Sequence, residues 1–233
     1  MSTLWTYGCS YTAPYSKIPS FYNEYYEFRG GNFPPTWPEL LSKKLNFDLI
    51  NMGEMGSGFD TSFERFCISA PRFKPDDIII FQIPTIERFR VTAPNGRWFN
   101  SSSETDTDFL PKIIAEYIAV DRSSYVKKKE VIHYLNFMEN FSILAKVKLF
   151  IWSTAGEIYE FIDLNNRKYL LNSYIQPTKG LDKYTTVFHA VFNKGGRRIL
   201  EETDGLIKDL HYGESAHRIM ADLFYEHILD CSI

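Results

Sequence analysis

The sequence predicts an α/β protein in which a parallel sheet is covered by helices on both faces, and three observations carry that prediction. Short apolar runs rich in β-branched and aromatic residues alternate with segments of helical periodicity, the order that builds parallel sheets. The run over residues 77–83 is apolar almost without interruption, as a strand buried on both faces must be. The length, 233 residues, suits one domain spanning 1–233 with a sizeable core. The expected architecture is a three-layer α/β/α domain with a flavodoxin-like sheet.

Each element follows from local signals. Thr3–Tyr7 reads as the first strand, and Trp37–Leu45 reads as a helix, with Pro38 in its first turn and leucines at 40, 41 and 45. Residues 47–51 form the second strand. Phe59, Phe63, Phe66 and Cys67 recur at helical spacing within a helix over 57–70, and 77–83 is the third strand. A linker-like polar loop occupies 93–107, rich in Ser, Asn, Gly and Thr. The longest helix spans 123–145, the fourth strand 148–152 and the terminal helix 215–229. Residues 155–208 carry the weakest pattern, with 186–192 as a candidate fifth strand.

Composition narrows the function classes. A formal charge of −3 argues against a general nucleic-acid-binding surface. The three cysteines, Cys9, Cys67 and Cys231, are odd in number, far apart and without a CxxC pair, which fits a reducing compartment and excludes a cysteine-rich zinc site. The N-terminus lacks a basic segment followed by a long apolar core, and no apolar run approaches the ~20 residues of a membrane span. A soluble protein of cytoplasmic synthesis is expected, with no membrane partner. Neither HExxH nor an acidic metal cluster occurs. The glycines of Gly53-Glu54-Met55-Gly56-Ser57-Gly58 do not follow GxGxxG order, and Gly195-Gly196-Arg197-Arg198 is too short to name. No cofactor and no metal is expected.

Aromatic residues make up 16% of the chain and concentrate just after the first strand. Tyr15, Phe21, Tyr22, Tyr25, Tyr26 and Phe28 fall in an insertion over 13–36. Such a segment either buries its rings against the domain or presents them for stacking on sugar rings or a partner. Burial is the simpler reading.

Chemistry is concentrated at the two ends of the chain. The first strand runs into Gly8-Cys9-Ser10, and a serine delivered there into a tight turn exposes its hydroxyl at the carboxyl end of the sheet, where α/β folds place their sites. The same position also suits a plain turn serine or a helix N-cap. Far along the chain, Asp209-Leu210-His211-Tyr212-Gly213-Glu214-Ser215-Ala216-His217 supplies an acid and a base before the last helix. The order Ser, Asp, His is that of a nucleophile-first hydrolase. In an extended segment positions i and i+2 share a side, so Asp209 can orient His211. His217 reads as a first-turn helical residue, while His133, His189 and His227 lie in periodic segments as surface or satisfied core residues. Lys127, Lys128 and Lys129 read as a solvated helix face.

These blocks resemble the SGNH (GDSL-like) hydrolase superfamily, and more closely its divergent phage-type branch, whose first block often reads Gly-Cys-Ser-Phe-Thr. The resemblance puts Ser10 on the nucleophile, and Gly56, in Asn51-Met52-Gly53-Glu54-Met55-Gly56, on the glycine whose N–H joins that of Ser10 in the oxyanion hole. Asp209 and His211 fall on the final block. Tyr212, Gly213 and Ala216 replace residues usual there, and Asp-x-His is one residue shorter than the common spacing. After the third strand the family carries an oxyanion asparagine within Gly-x-Asn-Asp, but this chain reads Pro84-Thr85-Ile86-Glu87-Arg88-Phe89. Thr85 and Arg88 are the candidates for that oxyanion or substrate contact, with Arg88 favoured. Arg88 also suits an ion pair with Glu87.

What the resemblance implies is a serine esterase or deacetylase acting on a small ester, and the aromatic insertion suggests an acetylated carbohydrate. The rival reading is a non-catalytic module of the same fold, a phage structural or host-interaction protein with a virion or homo-oligomer partner. An acyltransferase using the same serine and histidine is a third.

Overall fold

The computed structural model describes residues 2–17, 22–84, 89–92, 98–101, 124–153 and 187–231. Its strands are β1 (Thr3–Tyr7), β2 (Asp48–Asn51), β3 (Ile78–Ile83), β4 (Phe89–Thr92), β5 (Trp98–Ser101) and β6 (Lys148–Ser153). Its helices are α1 (Asn23–Phe28), α2 (Trp37–Leu45), α3 (Phe59–Ser69), α4 (Ser124–Ala145), α5 (Val187–Asn193), α6 (Ile199–Glu202) and α7 (Glu214–Asp230). Four strands form one sheet in the order β2-β1-β3-β6, and every pairing in it is parallel.

The period-two geometry of the strands sorts their side chains into two cores. Trp5, Tyr7, Ile79, Phe81, Ile83, Leu149 and Ile151 point to one face, where Phe59 and Phe66 of α3 and Val131, Leu135 and Met138 of α4 cover them. Leu4, Ile78, Ile80, Phe150 and Trp152 point to the other, against α2, α5 and α7. All six residues of β3 are buried, which is why that run shows no polar alternation. Three layers result, as the sequence predicts.

Polar anchors set the ends of these elements. Asp77, buried just before β3, accepts hydrogen bonds from the Thr3 N–H at 2.8 Å, the Trp5 indole at 3.0 Å and the Lys74 N–H at 3.0 Å, tying β1 to β3. At the start of α2, Glu39 accepts from the Thr36 N–H at 2.6 Å and its hydroxyl at 2.8 Å. The next N–H, that of Trp37, donates to Nδ1 of His217 in the first turn of α7, at 3.1 Å. Helices α2 and α7 are therefore joined by a hydrogen bond as well as by Trp37 against Phe224.

Three sequence expectations need adjustment. Residues 187–192, expected within a fifth strand over 186–192, belong to helix α5, whose Val187, Ala190 and Val191 form one buried stripe at helical spacing. The Val-Phe-His-Ala-Val-Phe composition suits a strand equally well, and packing against β6 and α7 decides the outcome. The polar stretch 93–107 contains strand β5, which pairs antiparallel with β4, so its residues 98–101 are not loop. In the insertion, Tyr15, Tyr22 and Tyr25 are buried in a satellite core with Ile199, whereas Tyr26 and Phe28 are exposed. Burial of rings thus accounts for the inner half of that segment.

The His217 contact generates a stability prediction. Burial, followed by the nearby His211, pushes the His217 imidazole down to about 3, so the folded protein keeps it neutral while the unfolded chain protonates it near 6.5. Between those values the unfolded state binds the extra proton, and stability falls as pH falls, by up to about 1.4 kcal/mol per pH unit from this group. Urea midpoints from pH 7 to 4 should drop more steeply for the wild type than for His217→Gln, which retains an acceptor for Trp37 but no titrating ring. Parallel slopes would show that His217 does not govern this range.

Candidate active site

Strand β1 ends at Tyr7, and Gly8 turns the chain with φ +152°, a backbone conformation that L side chains rarely adopt. A Cβ on Gly8 would also lie 2.3 Å from Gln82 Oε1. Only glycine serves there. The turn then closes on Cys9, whose carbonyl accepts the Thr12 N–H at 2.9 Å and the Ala13 N–H at 3.0 Å. Gln82, near the end of the neighbouring strand β3, accepts the Cys9 N–H at 3.1 Å and the Thr12 hydroxyl at 2.7 Å. Ser10 projects from this braced turn and is 8% exposed.

The loop leaving β2 is stitched to the same turn. Asn51 donates its amide to the Thr12 carbonyl at 2.8 Å and accepts the Gly53 N–H at 2.9 Å, while the Glu54 N–H reaches the Gly8 carbonyl at 3.0 Å. Arg65 of α3 holds the loop from the other side through the Met52 carbonyl and an ion pair with Glu54. Gly56 follows two residues later. Among the described residues neither its N–H nor that of Ser10 donates to an acceptor.

Asp209 and His211 arrive on the segment between α6 and α7. Backbone bonds fasten it to α6: the Leu200 N–H to the Asp209 carbonyl at 2.8 Å, the Ile199 N–H to the His211 carbonyl at 2.9 Å and the Gly213 N–H to the Arg197 carbonyl at 2.9 Å. The Tyr15 hydroxyl adds a bond to the Tyr212 carbonyl at 2.5 Å. The Glu202 carboxylate caps α7, accepting the Glu214 and Ser215 N–H groups at 2.9 and 2.8 Å, and it also receives the Tyr25 hydroxyl at 3.0 Å.

These constraints bring His211 to Ser10 across 201 positions of sequence, with Nε2 and Oγ 2.8 Å apart. On the far side of the ring, Nδ1 lies 2.6 Å from Asp209 Oδ1. The same carboxylate oxygen accepts the His211 backbone N–H at 2.8 Å, an Asx-type turn that fits a two-residue spacing. Burial pushes the Asp209 carboxyl up, but its hydrogen bonds from the His211 ring and N–H, with the imidazole's charge, outweigh this and hold it below the usual value. An ionised Asp209 accepts a hydrogen bond from Nδ1–H, which keeps its proton and leaves the Nε2 lone pair directed at the serine hydroxyl. That is the arrangement of a general base.

Two rings flank the imidazole: Tyr11 with centroids 5.2 Å apart, and Tyr22, edge-on, at 5.9 Å. Burial, then the charge of Asp209, raises the Tyr22 phenol, so it stays neutral. Beside them opens a cavity of about 680 Å³ whose walls include Tyr11, Tyr22, Asn23, Lys208, Asp209 and His211.

Of the predicted site residues, Ser10, Asp209 and His211 meet, and Gly56 lies on the loop bonded to the serine turn. Thr85 and Arg88 lie outside the described residues. His217 is buried against Trp37 rather than directed at the serine. Sequence reasoning missed Gln82 and Glu202. A polar side chain inside the apolar run of β3 was the available signal for the first. Among the described residues no group of three or more His, Cys, Asp or Glu side chains is gathered as a metal site would require, and no helix is long and apolar enough to cross a membrane.

No protein-family model matches the sequence, and no curated protein matches it. Solved structures do. A protein from Desulfitobacterium hafniense ascribed to the G-D-S-L lipolytic family is similar over 97% of this chain and 99% of its own, at 12% identity and a TM-score of 0.52. The YxiM protein of Bacillus subtilis is similar over all of this chain and 57% of its own length, at 14% identity and a TM-score of 0.51. With its parallel sheet in the order β2-β1-β3-β6 between two helical layers, the chain has the SGNH, or GDSL-like, hydrolase fold.

Proposed function

We propose that this protein is a serine ester hydrolase in which Ser10 is the nucleophile, His211 the general base and acid, and Asp209 the group that orients His211. The contact between Ser10 Oγ and His211 Nε2, completed by the Asp209 bond to Nδ1, carries the reading. His211 removes the hydroxyl proton as Oγ attacks the ester carbonyl; the carbonyl oxygen becomes an oxyanion held by the Ser10 and Gly56 N–H groups. Collapse breaks the bond to the alcohol, which leaves with the proton from His211. Water, deprotonated by the same imidazole, then attacks the acyl-enzyme and releases the acid and free Ser10. Thr85 or Arg88, just beyond β3 in sequence, supplies the further contact that the family takes from asparagine.

For the substrate we favour a small ester of a polyhydroxy alcohol, an acetylated carbohydrate. The cavity beside His211 combines ring edges of Tyr11 and Tyr22 with the polar side chains of Asn23, Glu24 and Lys208, a mixture that suits a sugar better than an acyl chain. The missing asparagine favours a second reading, a carbohydrate-binding module without turnover.

Activity separates the two. The wild type should cleave p-nitrophenyl acetate, and Ser10→Ala should lose on the order of a thousandfold or more of that rate. A serine-directed phosphonate should label the wild type and not the variant. Equal rates and no labelling would leave the binding-module reading. Lys208→Ala, at an exposed position, should lower kcat/KM for acetylated sugars about tenfold, the scale of one lost polar contact, while leaving p-nitrophenyl acetate within about twofold. Equal losses on both substrates would remove the cavity from the sugar-binding role.

A further inference from the structure

We infer that Gln82 is the positioning residue of the nucleophile turn, orienting the Cys9–Ser10 peptide and through it both the hydroxyl and the N–H of Ser10. The inference rests on the hydrolase reading above and extends it to a residue in the middle of an apolar strand.

Gln82 is the one polar residue in the sequence of β3, Ile-Ile-Ile-Phe-Gln-Ile, and it is fully buried. A primary amide placed there loses its hydration and must recover it from protein partners. Its hydrogen bonds all go to one place. Oε1 accepts the Cys9 N–H at 3.1 Å and the Thr12 hydroxyl at 2.7 Å, and Nε2 donates to Cys9 Sγ at 3.0 Å. One side chain therefore grips the residue before Ser10 twice and the residue two positions after it once.

The consequence for Ser10 follows from peptide planarity. The Cys9 carbonyl and the Ser10 N–H belong to one trans peptide plane and point in opposite directions. The carbonyl is turned inward by the Thr12 and Ala13 N–H groups, so the Ser10 N–H faces out of the turn, and among the described residues it meets no acceptor. Gln82 fixes the other side of Cys9, preventing rotation about the bonds that carry this plane. The oxyanion donor and the nucleophile are thus set together by a group in contact with neither. The backbone is built around it: Gly8 has no room for a Cβ because Gln82 Oε1 and Cβ would lie 2.3 and 2.6 Å away. A hydrophobic residue would satisfy β3 as a strand but leave the Cys9 N–H buried without an acceptor.

Three variants test the inference on p-nitrophenyl acetate at a temperature well below the melting point of each. Gln82→Met keeps the length and volume but makes none of the three bonds, and it should lower kcat by roughly 10- to 100-fold with KM within about twofold, since displacement of a reacting group by about 1 Å can cost about 100-fold. Its phosphonate labelling should slow in proportion. Thr12→Val removes one bond and should show a smaller loss of the same kind. Gln82→Glu gives a pH signature that a purely structural role would not: a neutral carboxyl reproduces the amide's acceptor and donor, whereas a carboxylate loses the bond to Sγ and opposes the oxyanion's charge. Its rate relative to wild type should rise as pH is lowered, while that of Gln82→Met stays flat.

A folded Gln82→Met with wild-type kcat would overturn the inference, as would a pH-independent ratio for Gln82→Glu. If Gln82→Met does not fold, unchanged turnover in Thr12→Val overturns it instead. If the wild type neither cleaves esters nor reacts with the phosphonate, the hydrolase reading has failed, and the positioning role is judged by crystallography. A Ser10 Oγ to His211 Nε2 separation beyond about 3.5 Å in Gln82→Met or Thr12→Val supports it, and an unchanged contact rejects it.

Discussion

The meeting of Ser10 and His211 depends on the carboxylate of Glu202 at the start of the last helix. Helix α7 begins with N–H groups that have no partner within the helix, and burying that end against the domain would be costly without an acceptor. Glu202 takes the Glu214 and Ser215 N–H groups and the Ser215 hydroxyl, placing a negative charge at the positive end of the helix dipole. The approach is so close that a Cβ on Gly213 would lie 2.3 Å from the Glu202 carboxyl carbon. Because α7 is anchored along its length by Ala216, Met220, Ala221 and Phe224, fixing its first turn also fixes the three residues that precede it. His211 is held from below by a core helix and from the side by α6.

Glu202 has a further partner in Tyr25, and this links the aromatic insertion to the same joint. Tyr15 bonds the Tyr212 carbonyl, Tyr22 stands edge-on to His211, and Arg29 pairs with Glu214. The insertion therefore braces the Asp209 to Gly213 segment while forming one wall of the cavity beside it. Burial of the tyrosine bodies and exposure of the cavity edge are compatible because a phenol ring has an apolar body and a polar tip. The alternatives that the sequence poses for these rings, core or contact surface, are resolved residue by residue: Tyr25 and Tyr22 are both core, and Tyr22 also packs edge-on against His211.

What could be read from the sequence follows the strength of each local signal. The nearly unbroken apolar run of β3 and the leucine spacing of α2 admit few alternatives, and both elements lie where their patterns predict. The Ser10 turn was legible because glycine and serine after a strand have a defined geometric meaning. Helix α5 was not, since its residues satisfy a two-residue and a three-to-four-residue period alike and are sorted only by the neighbours they meet. The pairing of Asp209 with His211 was legible, but its conformation was not. The expected pleated geometry is replaced by an Asx-type turn in which one carboxylate oxygen binds both the ring and the backbone of His211. Gln82 and Glu202 escaped because each acts through residues more than ten positions away, and no local periodicity announces such a partner.

His211 and His217 lie six residues apart and have opposite fates. His217 is buried on the core side of α7, and its Nδ1 is occupied by the Trp37 N–H. Among the described residues no carboxylate is bonded to it, and burial keeps it neutral far below the usual range. It can neither take a proton from a nucleophile nor hold one afterwards. His211 remains partly exposed on the preceding loop, with an ionised Asp209 on Nδ1 and a hydroxyl on Nε2. An imidazole that takes up a proton gains a charge, and of these two rings the one with a carboxylate behind it has that charge compensated. The buried histidine still contributes, since its bond to α2 holds the first turn of α7 in the register that Glu202 caps. The difference between the two histidines lies in what meets Nδ1, a backbone N–H at His217 and a carboxylate at His211, a distinction set by the short polar segment before α7.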